Sequence, residues 1–97
     1  YAIIRMLPGV VVLSPQDPGE IREAAKAMIE HDGPVYMRIG GPSIPDLFPQ
    51  APFTIGEGRM IREGSRATVV TTGTITPEVV VAVQRLADDG IDVDLIG

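Results

Sequence analysis

The chain has 97 residues, of which 44% are hydrophobic and 22% charged, and its formal net charge is −5 at pH 7. This composition is typical of an ordinary globular protein and leaves room for one full domain but not for two. The acidic balance and the scattered cations offer no basic surface to a nucleic acid, and the apolar runs are far shorter than the roughly 20 residues of a membrane-spanning helix. The absence of cysteine excludes disulfides and thiolate metal sites and suits a reducing compartment. We therefore expect a cytoplasmic protein without nucleic-acid or membrane partners.

The first half of the chain has the order helix, strand, helix, strand. "YAIIRMLPG" is typical of a helix end, because Pro8 and Gly9 stop a helix. The β-branched run "VVVLSP" predicts a strand covered on both faces, as in a parallel sheet. "DPGEIREAAKAMIEH" predicts a helix with Asp17 as N-cap, Pro18 in the first turn and Glu20 as the capping-box carboxylate. The run "VYMRIG" after the turn "DGP" predicts a second strand, which completes a βαβ unit.

The second half repeats this order after a change in composition. Residues 40–52 contain four prolines and two glycines, which indicates a linker. Two short extended runs, 53–55 and 59–62, come next. "ATVVTTG" then predicts a strand, "TPEVVVAVQRLADDG" a helix capped by Thr76 and stopped at Gly90, and "IDVDLIG" a closing strand. The sequence thus predicts an α/β fold of two βαβ-type units with mainly parallel sheets, joined by a Pro/Gly-rich linker. The predicted segments are residues 1–39, 40–52 and 53–97.

Few side chains suit catalysis. The only histidine, His31, lies at the end of a predicted helix, where an imidazole stabilises the negative helix end, so we interpret it as a capping residue rather than a catalytic base. The serines have no G-x-S-x-G context and receive no role; they are Ser14, Ser43 and Ser65. Four aspartates flank a turn and the outer positions of a strand, which indicates a solvated face; they are Asp88, Asp89, Asp92 and Asp94. We predict no catalytic, cofactor-binding or metal-binding residue.

Two glycine-containing segments were considered as anion sites. "GEGRMI" has only the first two glycines of G-x-G-x-x-G and opens no helix, so it does not support dinucleotide binding. "TTGTITPE" lies between a strand and a helix, where turns commonly line ligand crevices. An α/β fold has several such turns and uses few of them, so we favour a plain turn at Gly73 and Thr74.

One cation lies where a ligand site is expected. In "DGPVYMRIGG", Arg38 stands at the carboxyl end of a strand and is followed by Gly40 and Gly41. Parallel α/β sheets place ligands at this edge, and a guanidinium pairs two oxygens of a phosphate or carboxylate at once. The residues alone leave two interpretations open, because arginines at such edges also form structural ion pairs at domain boundaries.

Several signatures occur together in this order. "RMLPG", "VVLSPQDPGE" and "DGPVYMR" match R-x-x-P-G/N, V-x-x-P-x-D-x-x-E and D-G-P-V-Y-x-R; "GEGRMIREG" and "TGTITPE" match G-x-x-x-x-x-R-E-G and T-G-x-x-x-x-E. In these signatures the sequence resembles the transketolase family of thiamine-diphosphate enzymes over nearly its whole length. The first three resemble the end of the pyrimidine-binding domain of that family, and the last two resemble the start of its C-terminal domain.

The resemblance implies a transferase of carbohydrate metabolism that moves a two-carbon ketol unit between sugar phosphates, with thiamine diphosphate and Mg²⁺ as cofactors. It implies that Arg38 contacts the substrate phosphate, and it assigns no substrate role to Arg5. The cofactor-activating glutamate, the channel histidines and the diphosphate- and metal-binding domain of the family are expected before Tyr1. We therefore expect a part of a longer enzyme, or a subunit completed by a partner, that is inactive alone and belongs to a dimer.

Two alternatives stay open. A deoxyxylulose-phosphate synthase or the β-subunit of a 2-oxo acid dehydrogenase shares the same two C-terminal domains. The arginine in "VYMRIGG" favours the transketolase-like branch, although the family's common R-x-G-R ending is R-I-G-G here. A non-catalytic α/β interaction module is the alternative from a different functional class.

Overall fold

The fold consists of two small α/β lobes. The computed structural model describes residues 1–40, 43–49 and 51–97. The remaining residues, Gly41, Pro42 and Gln50, include the second glycine after Arg38 and part of the predicted linker, and these lie outside the described residues. The helices are α1 (Ala2–Arg5), α2 (Pro18–Glu30) and α3 (Thr76–Asp88), with a 3₁₀ turn at Gly73–Ile75; the strands are β1 (Val11–Leu13), β2 (Val35–Met37), β3 (Met60–Arg62), β4 (Thr68–Val70) and β5 (Asp94–Ile96).

The first lobe is a βαβ unit, as predicted. Strands β1 and β2 are parallel neighbours with Val11 opposite Val35 and Leu13 opposite Met37, and α2 connects them. The backbone N–H of Arg38 donates to the carbonyl of Leu13 at 2.9 Å. This bond extends the pairing by one residue and fixes the backbone of Arg38 at the carboxyl end of the sheet.

The start of α2 is fixed by the predicted N-cap. Asp17 is fully buried, and its Oδ1 accepts a hydrogen bond from the N–H of Glu20 at 2.7 Å. The carboxylate of Glu20 accepts from the N–H of Gln16 at 2.7 Å, one residue earlier than in a standard capping box. The second oxygen of Asp17 accepts from the N–H of Phe48 at 2.6 Å. One buried carboxylate thus holds both the helix start and residues 43–49.

Asp46 makes a second attachment between this segment and α2. Its carboxylate accepts from the N–H of Gly19 and from the guanidinium of Arg22, both at 2.9 Å. A Cβ atom at Gly19 would lie 2.5 Å from Oδ1 of Asp46 and 2.8 Å from the carbonyl oxygen of Phe48. Only glycine permits this approach, so residues 43–49 pack directly on the helix start.

The second lobe is a three-stranded sheet of order β3-β5-β4. Strands β4 and β5 are parallel, which confirms the predicted α/β class, and β3 adds an antiparallel edge. The core is formed by Val83 of α3 together with Val93 and Leu95, each at most 3% exposed. The predicted extended run at 53–55 is not a strand, because the N–H of Glu57 turns back to the carbonyl of Thr54 at 3.2 Å.

The end of helix α3 agrees with the prediction, but its beginning does not. It ends as predicted: Gly90 has φ +79°, its N–H donates to Ala87 and the N–H of Ile91 donates to Leu86, which is a Schellman motif. The predicted cap at Thr76 is wrong. Thr76 is the first helical residue and makes no side-chain cap, because its buried hydroxyl bonds to Gln16 of the other lobe.

The prediction of a solvated aspartate face is also wrong in part. Asp92 pairs with the guanidinium of Arg62 at 2.9 Å, and half-buried Asp94 accepts from the N–H of Gly64 at 2.7 Å. Gly64 lies so close to the β5 region that a Cβ there would be 2.2 Å from the carbonyl carbon of Val93. These two aspartates therefore connect the β3 segment to the β5 segment, whereas Asp88 and Asp89 are exposed as predicted. No helix among the described residues has the length and apolar composition needed to cross a membrane.

We predict that Asp17→Ala lowers the free energy of unfolding by roughly 2 kcal/mol, because it removes an N-cap and a second hydrogen bond from a buried position. Asp17→Asn keeps one acceptor oxygen for Glu20 and loses the other, so its loss should be intermediate. Urea denaturation of the three proteins measures the difference. An alanine variant as stable as the wild type would contradict this role.

We predict a lowered pKa for Asp46. The hydrogen bond from Arg22 holds the pKa of this carboxyl below its ordinary value of 3.8, with a smaller contribution from the N–H of Gly19. A carboxyl with a lowered folded pKa stabilises the fold above its ordinary pKa, and the contribution is lost as the pH falls through the lowered value. An NMR titration of the carboxyl carbon should give a lower pKa in the wild type than in Arg22→Ala. Lys26→Ala, which alters a pair with Glu23 on the same helix, should leave the pKa unchanged; equal values in the wild type and Arg22→Ala would contradict the assignment.

Candidate functional site

A cleft of about 350 Å³ lies between the two lobes. The first lobe contributes Tyr1, Ser14, Arg38 and Gly40 to its lining, and the second lobe contributes residues 72–75. The lining therefore contains Arg38, the candidate phosphate ligand, and the turn that follows the strand predicted from "ATVVTTG".

Parallel pairing explains why these residues meet. Ser14 directly follows β1, Arg38 directly follows β2, and the turn 72–75 follows β4. All three thus come from the carboxyl ends of parallel strands, the edge at which α/β proteins bind ligands. The N–H of Gly73 donates to the carbonyl oxygen of Ser14 at 3.1 Å, so the two edges are joined directly.

The Arg38 side chain lies exposed at the cleft, with its guanidinium carbon 4.6 Å from the centre of the Tyr1 ring. A stacked guanidinium keeps the N–H groups of its planar fork free for an oxyanion. Arg38 takes no part in the ion pairs found within residues 1–40, 43–49 and 51–97. The alternative interpretation, a structural ion pair at the domain boundary, thus has no partner in these ranges.

Two cleft residues were not recognised from the sequence. Tyr1 donates its hydroxyl to Oγ of Ser14 while its ring contacts Arg38. The only sequence signal for either residue was that Ser14 immediately follows a predicted strand. The contact between Tyr1 and Ser14 depends on how α1 packs against the sheet, which the sequence pattern does not indicate. The Tyr1 ring thus packs against the guanidinium of Arg38, and Ser14 holds the hydroxyl of Tyr1.

The turn after β4 is shaped by Gly73. This residue has φ +69°, and a Cβ atom on it would lie 2.6 Å from Oγ of Ser14. Both the conformation and the close approach require glycine. The sequence favoured a plain turn at Gly73 and Thr74; the structure places both residues in the lining of the cleft.

The other candidates of the sequence analysis lie outside the cleft lining. His31 occupies the C-cap position of α2, where its N–H donates to the carbonyl of Ala27 at 3.0 Å. Ser43 and Ser65 do not line the cleft. Within the part of the chain that the structure describes, no three His, Cys, Asp or Glu side chains converge as metal ligands. The cleft lining that the structure describes offers a cation beside hydroxyl groups, a set suited to binding an oxyanion.

No protein-family model matches the sequence. The chain is 33% identical over 96 residues to a 6-deoxy-6-sulfo-D-fructose transketolase subunit of Clostridium sp. (strain MSTE9), which covers 98% of the chain and 30% of that relative. It is 33% identical over 101 residues to the 1-deoxy-D-xylulose-5-phosphate synthase of Syntrophotalea carbinolica (strain DSM 2380 / NBRC 103641 / GraBd1), with 99% of the chain and 16% of the relative covered.

A solved structure shares the fold. A split-gene transketolase, determined as an inactive β4 tetramer, matches with a TM-score of 0.93 and 33% sequence identity over 98% of the chain. The chain spans 32% of that protein, so it represents about a third or less of the relatives described here. Signatures in a fixed order, an α/β fold of the same shape and similarity along nearly the whole chain lead to one conclusion: the chain belongs to the transketolase family.

Proposed function

We propose that the chain is part of a transketolase-like transferase that moves a two-carbon ketol unit between phosphorylated sugars. In this enzyme, Arg38 binds the substrate phosphate, and the rest of the chain supports the cleft and the association of domains. The position of Arg38 carries the proposal: an exposed guanidinium at the carboxyl end of a parallel strand, in a cleft between two lobes.

The physical chemistry of the cleft favours a phosphate. The charge-assisted hydrogen bonds of a guanidinium fork are about twice as strong as neutral ones and match the spacing of phosphate oxygens. The chain carries a net charge of −5, so an anionic substrate is not attracted by the chain as a whole and depends on local cations. Stacking on Tyr1 restricts the guanidinium before the ligand arrives, which reduces the entropy lost on binding.

The proposal requires cofactor groups from elsewhere. Thiamine diphosphate and Mg²⁺ belong to the proposed reaction. The cofactor-activating glutamate, the channel histidines and the diphosphate- and metal-binding domain would come from another segment or from a partner subunit. Two of the relatives support this division, since one is called a subunit and another is a split-gene transketolase. The proposed assembly is a cytoplasmic homodimer or a complex with the subunit that carries the diphosphate-binding domain.

A second candidate is a 1-deoxy-D-xylulose-5-phosphate synthase. The 33% identity to such an enzyme over 101 residues equals the identity to the transketolase subunit, so identity alone does not separate the two. An assay of the complete enzyme for both products decides between them, because the first candidate requires ketol transfer between sugars and the second requires formation of the deoxyxylulose phosphate.

We predict that Arg38→Ala in the complete enzyme selectively impairs phosphorylated acceptors. Loss of the charge-assisted pair should cost about 1.5 to 3 kcal/mol of transition-state binding, which is about a 10- to 150-fold fall in kcat/KM. The value for the matching unphosphorylated acceptor should change little. Steady-state kinetics with the two acceptors measures the difference.

Two variants serve as controls for this experiment. Arg38→Lys retains the charge but not the planar fork, so its loss should be smaller than that of the alanine variant. Arg66→Ala removes an exposed arginine before the amino end of β4 and should leave both acceptors unaffected. Equal losses for phosphorylated and unphosphorylated acceptors in Arg38→Ala would show that Arg38 is structural.

A further inference from the structure

A buried series of hydrogen-bonded polar side chains crosses from one lobe to the other beside the cleft. It consists of Gln16, Thr76 and Thr71, which are 3%, 0% and 7% exposed. The hydroxyl of Thr76 donates to Oε1 of Gln16 at 2.7 Å, and the hydroxyl of Thr71 lies 3.2 Å from that of Thr76. Hydrogen bonds at such depth are shielded from water, so each partner is costly to leave unpaired.

Both ends of this hydrogen-bonded series are attached to secondary-structure elements. On the first lobe, the N–H of Gln16 donates to the carboxylate of Glu20 in the first turn of α2. On the second lobe, the N–H of Thr71 donates to the carbonyl of Ile96 at 2.9 Å. The bond between Gln16 and Thr76 therefore joins two elements that are each held in place independently.

The hydrogen-bonded series also flanks the turn that lines the cleft. Thr71 immediately precedes residues 72–75 and Thr76 immediately follows them, so both ends of the turn are fixed by the buried hydroxyls. Gln16 lies two residues after Ser14, whose carbonyl accepts from the N–H of Gly73 at 3.1 Å. Residues 72–75 are thus attached to the first lobe at two neighbouring points, the bond of Thr76 to Gln16 and the bond of Gly73 to Ser14.

The geometry leaves the Gln16 side chain little freedom. A Cβ atom at Gly97 would lie 2.2 Å from Oε1 and 2.5 Å from Nε2 of Gln16, so backbone without a side chain covers the amide. Because a hydrogen bond depends on direction as well as distance, an amide held in this way fixes the orientation of Thr76. An apolar contact at the same place would hold the lobes together without fixing that orientation.

We propose that the Gln16–Thr76 hydrogen bond is a positioning device for the anion-binding cleft. It holds residues 72–75 of the second lobe in register with Arg38 of the first, so Gln16 and Thr76 set the affinity for a phosphorylated substrate without touching it. This inference rests on the proposed role of Arg38 in binding the substrate phosphate.

The test uses Thr76→Val, which keeps the shape and removes the hydroxyl, and Thr76→Ser, which keeps the hydroxyl. In the complete enzyme, Thr76→Val removes the hydroxyl that contacts both Gln16 and Thr71. It should lower kcat/KM for a phosphorylated acceptor roughly tenfold, the scale of a buried polar group left without its partner, mostly through KM. The unphosphorylated acceptor should be affected far less, and Thr76→Ser should behave almost as the wild type. In Arg38→Ala, adding Thr76→Val should cause little further loss, because the cleft has already lost its cation.

Hydrogen exchange provides a readout that does not depend on activity. The amide of Gly73 is bonded to Ser14 across the lobes, so its exchange should be faster in Thr76→Val than in the wild type and Thr76→Ser. Unchanged exchange in Thr76→Val would overturn the positioning role, as would equal losses for the two acceptors or a serine variant as impaired as the valine variant. If Arg38→Ala itself shows no preference for phosphorylated acceptors, the proposed function fails, and the positioning role fails with it. A phosphate-specific effect of Arg38→Ala without one of Thr76→Val overturns the positioning role alone.

Discussion

Parallel strand pairing is the constraint on which the cleft depends. Parallel pairing places the carboxyl ends of both strands of a βαβ unit at one edge, and the chain contains such a parallel pair in each lobe. The two edges face each other, and the bond from Gly73 to Ser14 joins them. Residues from opposite halves of the sequence thus meet in one place although most of them lie in short turns.

The two lobes contribute different features to the cleft. The first supplies the charge, because Arg38 directly follows β2 and stacks on Tyr1. The second supplies a turn whose shape is set by Gly73 and whose ends are held by buried hydroxyls. Under the proposed function, this arrangement would favour phosphorylated substrates, because the cleft offers a cation beside hydroxyl groups.

Local signals in the sequence were sufficient for much of the fold. The Asp17 cap and the Gly90 stop depend on contacts within a few residues, and both occur as predicted. The role of Thr76 could not be predicted in this way, because its hydroxyl bonds to Gln16, 60 residues earlier in the chain. Asp94 was misjudged for the same reason, since the N–H it accepts from belongs to Gly64 on a neighbouring segment. The position of Arg38 at the carboxyl edge of a parallel sheet could be predicted, because the order strand, helix, strand along the sequence already indicates parallel pairing. The contacts of Tyr1 with Ser14 and Arg38 could not be predicted, because they depend on how α1 packs against the first sheet.

We propose above all that Arg38 binds the substrate phosphate in the cleft between the two lobes. A crystal structure of the complete enzyme with a phosphorylated acceptor bound tests it most directly. We expect phosphate oxygens at about 2.7 to 2.9 Å from the guanidinium nitrogens of Arg38, the distance of a charge-assisted hydrogen bond, with the turn 72–75 beside them. A phosphate bound elsewhere, with Arg38 paired to a carboxylate of the protein, would contradict it.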